Sequence, residues 1–301
     1  MPVPYGLPVL VFVPIEQTGR AGCKPAGAKR EAKLPFIQAG HIQLYFETEG
    51  EGQRLLFIPG SNGDLRMKPN MFNGPLKDHF ELVSYDQRGL GQSDKPEYAY
   101  SMADYANDAI NLMDAGGWET CNVLGYSFGG MVAQELAINY PDRVEKLVLC
   151  ASSPGGEGGT SFPLHELEEM PVKLRIPLSI STHDTRKNDA WQAENPDFVV
   201  AAAREMNRAR LEYGHEPGWE KGREQQLEAR RHHNTWDRLH QISAPTLICG
   251  GKYDGSAKPD YQHKMAGRIP NAEVALFEGG HLFIAQDKAA NARIIDFLKE
   301  G

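Results

Sequence analysis

Between an apolar run, Cys121-Asn122-Val123-Leu124, and a helix-like stretch, Met131 to Asn139, lies the pentapeptide Gly125-Tyr126-Ser127-Phe128-Gly129. The order of these segments places one serine where a strand turns sharply into a helix. Such a turn forces the serine backbone into a strained conformation. A Cβ at the neighbouring glycine positions would collide with the adjoining strand or helix. The serine Oγ is then presented at the carboxyl edge of a sheet, which makes Ser127 a candidate nucleophile. Taken alone, G-x-S-x-G also fits an ordinary surface turn, so the meaning of the motif rests on its partners.

In a chain built around this turn, an acid and then a histidine follow the serine, each on a loop leaving a later strand. The segment Pro245 to Gly251 reads as a short buried strand, and Lys252-Tyr253-Asp254-Gly255 hangs an aspartate from its carboxyl end. A second apolar stretch, Ala272 to Phe277, runs into Glu278-Gly279-Gly280-His281. Asp254 is therefore the expected acid and His281 the expected base. A serine hydroxyl is a poor nucleophile at neutral pH, so the histidine must take its proton during attack and return it to the leaving group. The aspartate holds the imidazole tautomer and stabilises the imidazolium.

The negative charge of a tetrahedral intermediate also needs fixed N–H donors. The amide of Phe128 is one expected donor. The other comes from the loop Pro59-Gly60-Ser61-Asn62-Gly63, which follows the apolar run Arg54 to Ile58; by position, the amide of Ser61 is the expected second donor.

With these residues in place the chain, from about Phe36 to its C-terminus, resembles the α/β-hydrolase fold superfamily. The segment Asp86-Gln87-Arg88-Gly89-Leu90-Gly91-Gln92-Ser93 matches that family's D-x-R-G-x-G-x-S turn, which implies structural roles for Asp86 and Arg88. One departure is that proline, Pro59, stands where a histidine often begins the oxyanion loop. The glycine-rich endings Gly251 to Gly255 and Glu278 to His281 are similar to those of small bacterial esterases and enol-lactonases. The resemblance implies an α/β fold with a mostly parallel central sheet flanked by helices. It also implies a serine hydrolase that uses no cofactor.

The rest of the chain fits this frame. Residues 34–151 and 241–301 carry the strand and helix alternation of the core. Residues 152–240 turn helical and charged after Pro154-Gly155-Gly156, as a cap inserted over the carboxyl edge of the sheet would. Residues 1–33 are broken by prolines and then rich in glycine, alanine and charge, and are expected to form an irregular extension. They match neither a signal peptide nor a membrane span. A net charge of −8 and a pI near 5.7 give no footprint for nucleic acid or an anionic membrane.

Four scattered cysteines, Cys23, Cys121, Cys150 and Cys249, without metal or redox spacing fit a reducing, cytoplasmic setting. The adjacent His232 and His233 cannot share one helix face, and no metal is expected. Trp191, Phe198, Met206, Trp219 and Trp236 either line a pocket or pack the cap. Tyr126 and Asn62 are candidates to face substrate.

The expected reaction is cleavage of a small-molecule carboxylic ester or lactone through an acyl-enzyme. Three other readings stay open: carbon–carbon bond hydrolysis, cofactor-free peroxidase chemistry on the same triad, and a slow-turnover ligand receptor. A homo-oligomer is also left open.

Overall fold

The computed structural model describes residues 35–300; the expected N-terminal extension, residues 1–33, and Cys23 lie outside them. The described chain begins with four strands: β1 (Phe36–Ala39), β2 (Ile42–Glu49), β3 (Arg54–Ile58) and β4 (Glu81–Tyr85). Helix α1 (Met102–Ala115), strand β5 (Cys121–Tyr126), helix α2 (Phe128–Asn139) and strand β6 (Val144–Cys150) follow. Five helices then intervene before the next strand: α3 (Leu164–Glu169), α4 (Val172–His183), α5 (Asp189–Glu194), α6 (Pro196–Tyr213) and α7 (Trp219–Arg231). Strand β7 (Thr246–Gly251), α8 (Pro259–Ala266), β8 (Ala272–Phe277), α9 (Phe283–Gln286) and α10 (Lys288–Lys299) complete the chain.

The eight strands form one sheet in the order β1-β2-β4-β3-β5-β6-β7-β8. β1 and β2 pair antiparallel, as do β2 and β4; the remaining pairs are parallel. The sheet is buried on both faces, so its inner strands read as continuous apolar runs whose alternate residues feed opposite cores. Leu56, Ile58, Val123 and Leu149 join α1 and α2 on one side. Leu55, Phe57, Leu124 and Val148 join α10 on the other. Strand order reverses between β3 and β5, and the carboxyl ends at such a switch point frame a crevice. Both the serine turn after β5 and the Pro59–Gly63 loop after β3 leave the sheet there.

The two structural assignments in the D-x-R-G turn are met by buried contacts. Arg88 holds Asp108 through two bonds, 2.6 and 2.7 Å, and both side chains are almost wholly buried. Asp86 accepts the amides of Leu65 and Gln92 at 2.7 and 2.8 Å. Burial still pushes its carboxyl up to about 7.

One boundary differs from expectation. Helix α2 begins at Phe128, not at Met131, because the carbonyl of Ser127 already accepts the amides of Gly130 and Met131. Gly129 and Gly130 carry poor helix propensity and hide this start in the sequence. Among the described residues, no helix is long and apolar enough to cross a membrane.

Candidate active site

The turn after β5 has the strain that its sequence implies. Ser127 sits at φ 54°, ψ −114°, outside the regions open to most residues. A Cβ on Gly125 would come within 2.3 Å of the carbonyl oxygen of Gly129, and one on Gly129 within 2.0 Å of the carbonyl of Ile58. Only glycine lets strand, helix and the neighbouring strand end approach this closely. The amide of Ser127 is tied to the carbonyl of Cys150 at 2.8 Å, which anchors the turn to β6.

The three residues singled out in separate segments meet in one line. Ser127 Oγ lies 3.0 Å from His281 Nε2, and His281 Nδ1 lies 2.8 Å from Asp254 Oδ2. The carboxylate accepts, so Nδ1 carries a hydrogen and Nε2 offers its lone pair to the serine hydroxyl. Asp254 is buried, and its other oxygen accepts the amides of Ser256 and Ala257 at 2.8 and 2.9 Å. These bonds hold the carboxylate in one orientation.

The loop after β3 lies against the turn: a Cβ on Gly60 would stand 3.4 Å from Ser127 Cβ. Gln87 donates its side-chain amide to the carbonyl of Pro59 at 2.8 Å, which fixes the loop at the point where proline replaces the usual histidine. Among the described residues, neither the amide of Ser61 nor that of Phe128 has an acceptor. The Phe128 amide also lies at the N-terminus of α2, where the helix dipole favours negative charge.

The two candidates to face substrate, Tyr126 and Asn62, make hydrogen bonds within the protein. The Tyr126 hydroxyl donates to the main-chain carbonyl of His281 and so braces the histidine loop from below. Asn62 adopts a left-handed φ of 61°. Its amide donates to Gln226 Oε1 at 2.8 Å, and its side-chain oxygen accepts from Arg223 Nε at 3.0 Å. Both partners belong to α7, three residues apart on one helix face. The same helix meets the core at Gly222, where a Cβ would fall 1.8 Å from the carbonyl of Gly89.

A second histidine, which the sequence does not single out, joins the site from the end of α4. The rings of His183 and His281 pack edge to face with centroids 5.4 Å apart. The carbonyl of His183 accepts the amide of His281 at 2.6 Å, and that of Thr182 accepts the amide of Gly255 at 3.0 Å. One helix end thus binds the loops of both the base and the acid. His183 Nδ1 lies 2.7 Å from the carbonyl of Ser179 and so carries the hydrogen, leaving Nε2 as an acceptor. Burial, and then the neighbouring His281, push this imidazole down to about 4.

Of the five side chains weighed as pocket lining or packing, the aromatics pack and the methionine is exposed. Trp236 packs on the core with Arg268 over its ring, Trp219 is buried between Arg210 and Arg223, and Met206 is exposed. Trp191 and Phe198 pack edge to face at 5.0 Å. No group of three or more histidine, cysteine, aspartate or glutamate residues among the described residues is placed to hold a metal ion.

The family model for the alpha/beta hydrolase fold matches residues 53–288. Among curated proteins, the chain is 27% identical over 275 residues to "Putative carbamate hydrolase RutD" of Variovorax paradoxus, covering 85% of this chain and 96% of that one. Among solved structures, a meta-cleavage product hydrolase from Pseudomonas fluorescens superposes with a TM-score of 0.69 at 22% identity, covering 87% of this chain and 96% of that one. An enol-lactonase from Burkholderia xenovorans gives 0.68 at 22% identity, covering 88% of this chain and all of that one, 100%.

Proposed function

The chain belongs to the α/β-hydrolase fold family, and from that premise we propose that it is a serine hydrolase cleaving a carboxylic ester or lactone through an acyl-enzyme on Ser127. One observation carries the reading. The hydrogen-bonded line Ser127, His281, Asp254 stands beside two main-chain amides, of Phe128 and Ser61, that no other group among the described residues accepts from.

His281 Nε2 takes the serine proton as Oγ attacks the carbonyl carbon, and the carbonyl oxygen takes up the π electron pair and becomes negative between the two amides. Collapse of this intermediate breaks the bond to the leaving oxygen, to which His281 returns the proton. A water molecule then repeats the sequence on the acyl-enzyme, with His281 again as base, and releases the acid. Asp254 keeps the imidazole in the reactive tautomer throughout. Every role falls to a side chain or a main-chain amide of this chain, so no cofactor enters the mechanism. Three buried free thiols, Cys121, Cys150 and Cys249, support a reducing, cytoplasmic setting.

The preference for esters and lactones over carbamates and carbon–carbon bonds is testable with one substrate panel. Short p-nitrophenyl esters, simple lactones, aryl carbamates and vinylogous diketones are compared by kcat/KM, with Ser127→Ala as the blank. Esters or lactones should lead, and Ser127→Ala should abolish their turnover. A carbamate or diketone turned over fastest would replace the substrate class. Full activity in Ser127→Ala would remove the mechanism as well.

A further inference from the structure

Arg230, on the last turn of α7, is a guanidinium that the surrounding protein leaves unneutralised. The residue is 6% exposed, and its Nη2 donates to Ser161 Oγ at 2.6 Å and to the carbonyl of Phe162 at 2.8 Å. Both acceptors are uncharged. Other arginines withdrawn wholly or largely from solvent have acids: Arg88 has Asp108, and Arg66 has Asp64 and Glu216. Among the described residues Arg230 has none, and burial with nothing to offset it pulls the group down to about 10. A buried guanidinium N–H without a partner is costly, and a site that retains one is suited to an arriving hydrogen-bond acceptor.

The surroundings are built for such a group. Three buried nitrogens here have no partner among the described residues: Arg230 Nε, His233 Nδ1 and His165 Nδ1. Their residues line one cavity of about 30 Å³ with Met131, Ser153 and Ser161, and no acidic side chain lines it. That volume is room for roughly two water-sized spheres, enough for the head group of a small molecule.

The charged and titratable groups that bear on His233 are Arg230 on α7, His165 on α3, Arg231 at the cavity rim, and Arg238, which is itself paired with Glu135 of α2. His233 Nε2 lies 3.2 Å from the carbonyl of Ser153, so Nε2 carries the hydrogen and Nδ1 presents a lone pair. Burial, with Arg230 and Arg238 nearby, pushes this imidazole down to about 3. The cavity therefore offers one charged donor, Arg230 Nε–H, and one neutral acceptor, the lone pair of His233 Nδ1.

A bare anion satisfies only the first of these and meets a lone pair at the second. A carboxyl group satisfies both: one oxygen accepts from Arg230, and the other brings a proton to His233. We propose that this cavity, walled by α2, the β6–α3 segment and the end of α7, binds the carboxyl group of a small organic acid, taken up with one proton held between the acid and His233.

The test uses the full-length protein with formate and acetate, and sodium chloride at equal ionic strength as the bare-anion arm. Either acid should raise the melting temperature saturably at pH 5.5, and chloride should not. The apparent affinity should fall about tenfold per pH unit above the pKa of the acid, as uptake of one proton requires. Arg230→Gln should abolish the shift. An equal response to chloride, no saturable response to either acid, or a shift that survives in Arg230→Gln overturns the assignment. If Arg230→Gln does not fold, nitrogen NMR of the unaltered protein decides. Formate should move the His233 Nδ1 resonance toward its protonated position, and an unmoved resonance at saturating formate refutes the proposal.

Discussion

Replacing Gln226 with leucine tests whether the cap sets the oxyanion loop. Gln226 is fully buried and provides the acceptor for the amide of Asn62, the residue after Ser61. Leucine removes that acceptor and leaves a half-buried N–H without its partner, a cost toward the lower end of about 1–3 kcal/mol. Asn62 is already held at a left-handed φ of 61°, so the loop gains by relaxing once the bond is lost. Relaxation of Asn62 releases the loop on its N-terminal side, so that the Gly60–Ser61 peptide can rotate and turn the Ser61 amide away from the developing oxyanion. Complete loss of one such donor costs roughly 10²–10³ in kcat, and a misaimed donor costs less. The expected result for Gln226→Leu is a fall in kcat of roughly 10- to 100-fold with KM changed little, because the donor acts chiefly in the transition state. Gln226→Glu keeps an acceptor oxygen beside Arg223 and should recover most of the rate. The assay is steady-state hydrolysis of a short p-nitrophenyl ester, with circular dichroism to verify the fold. A kcat within twofold of the unaltered enzyme, or a loss confined to KM, would refute the coupling.

Three further outcomes follow from the same geometry. Asp254→Asn leaves His281 without the partner that fixes its tautomer, and kcat should fall roughly 10⁴-fold with the fold intact by circular dichroism. Asp108→Ala takes from the buried Arg88 guanidinium its closer acid and leaves only Asp104 at 3.4 Å, and should destabilise the protein toward the lower end of about 3–5 kcal/mol in urea titration. His183 is held neutral with its folded pKa near 4, below the ordinary 6.5, so the unfolded chain takes up this proton first. Its contribution to stability is present above pH 6.5 and is lost as pH falls toward 4, by about 3 kcal/mol at 1.36 kcal/mol per unit. Denaturant titration at pH 7 and pH 4.5 should show His183→Gln losing less stability than the unaltered protein. Asp86, whose raised pKa acts in the opposite direction, cancels because both proteins carry it.

The parts of the site legible in the sequence are those with local signatures. Ser127 is marked by glycines that the turn requires, and Asp254 and His281 by apolar strands that end just before them. The Ser61 loop could be placed because it follows a strand in the same way. The cap gives no such signals. Helix α7 is dominated by charged and polar residues and reads as a solvated face. Yet Gln226 is buried because it pairs with an amide 164 residues away, a partner that no local pattern reveals. His183 looks like an ordinary polar residue at a helix end, and only the tertiary placement of α4 brings its ring against His281. Tyr126 stands beside the nucleophile in sequence, but its hydroxyl is taken by a carbonyl 155 residues on. Neighbourhood along the chain is therefore a poor guide to which side chains face substrate.

The central claim is a covalent acyl group on Ser127. Mixing the protein with a short p-nitrophenyl ester, quenching in acid within the first turnovers and mapping peptides by mass spectrometry tests it directly. The account predicts one acyl group, found only on the peptide that carries Ser127 and absent in Ser127→Ala. Steady hydrolysis with the acyl group on another residue would contradict it.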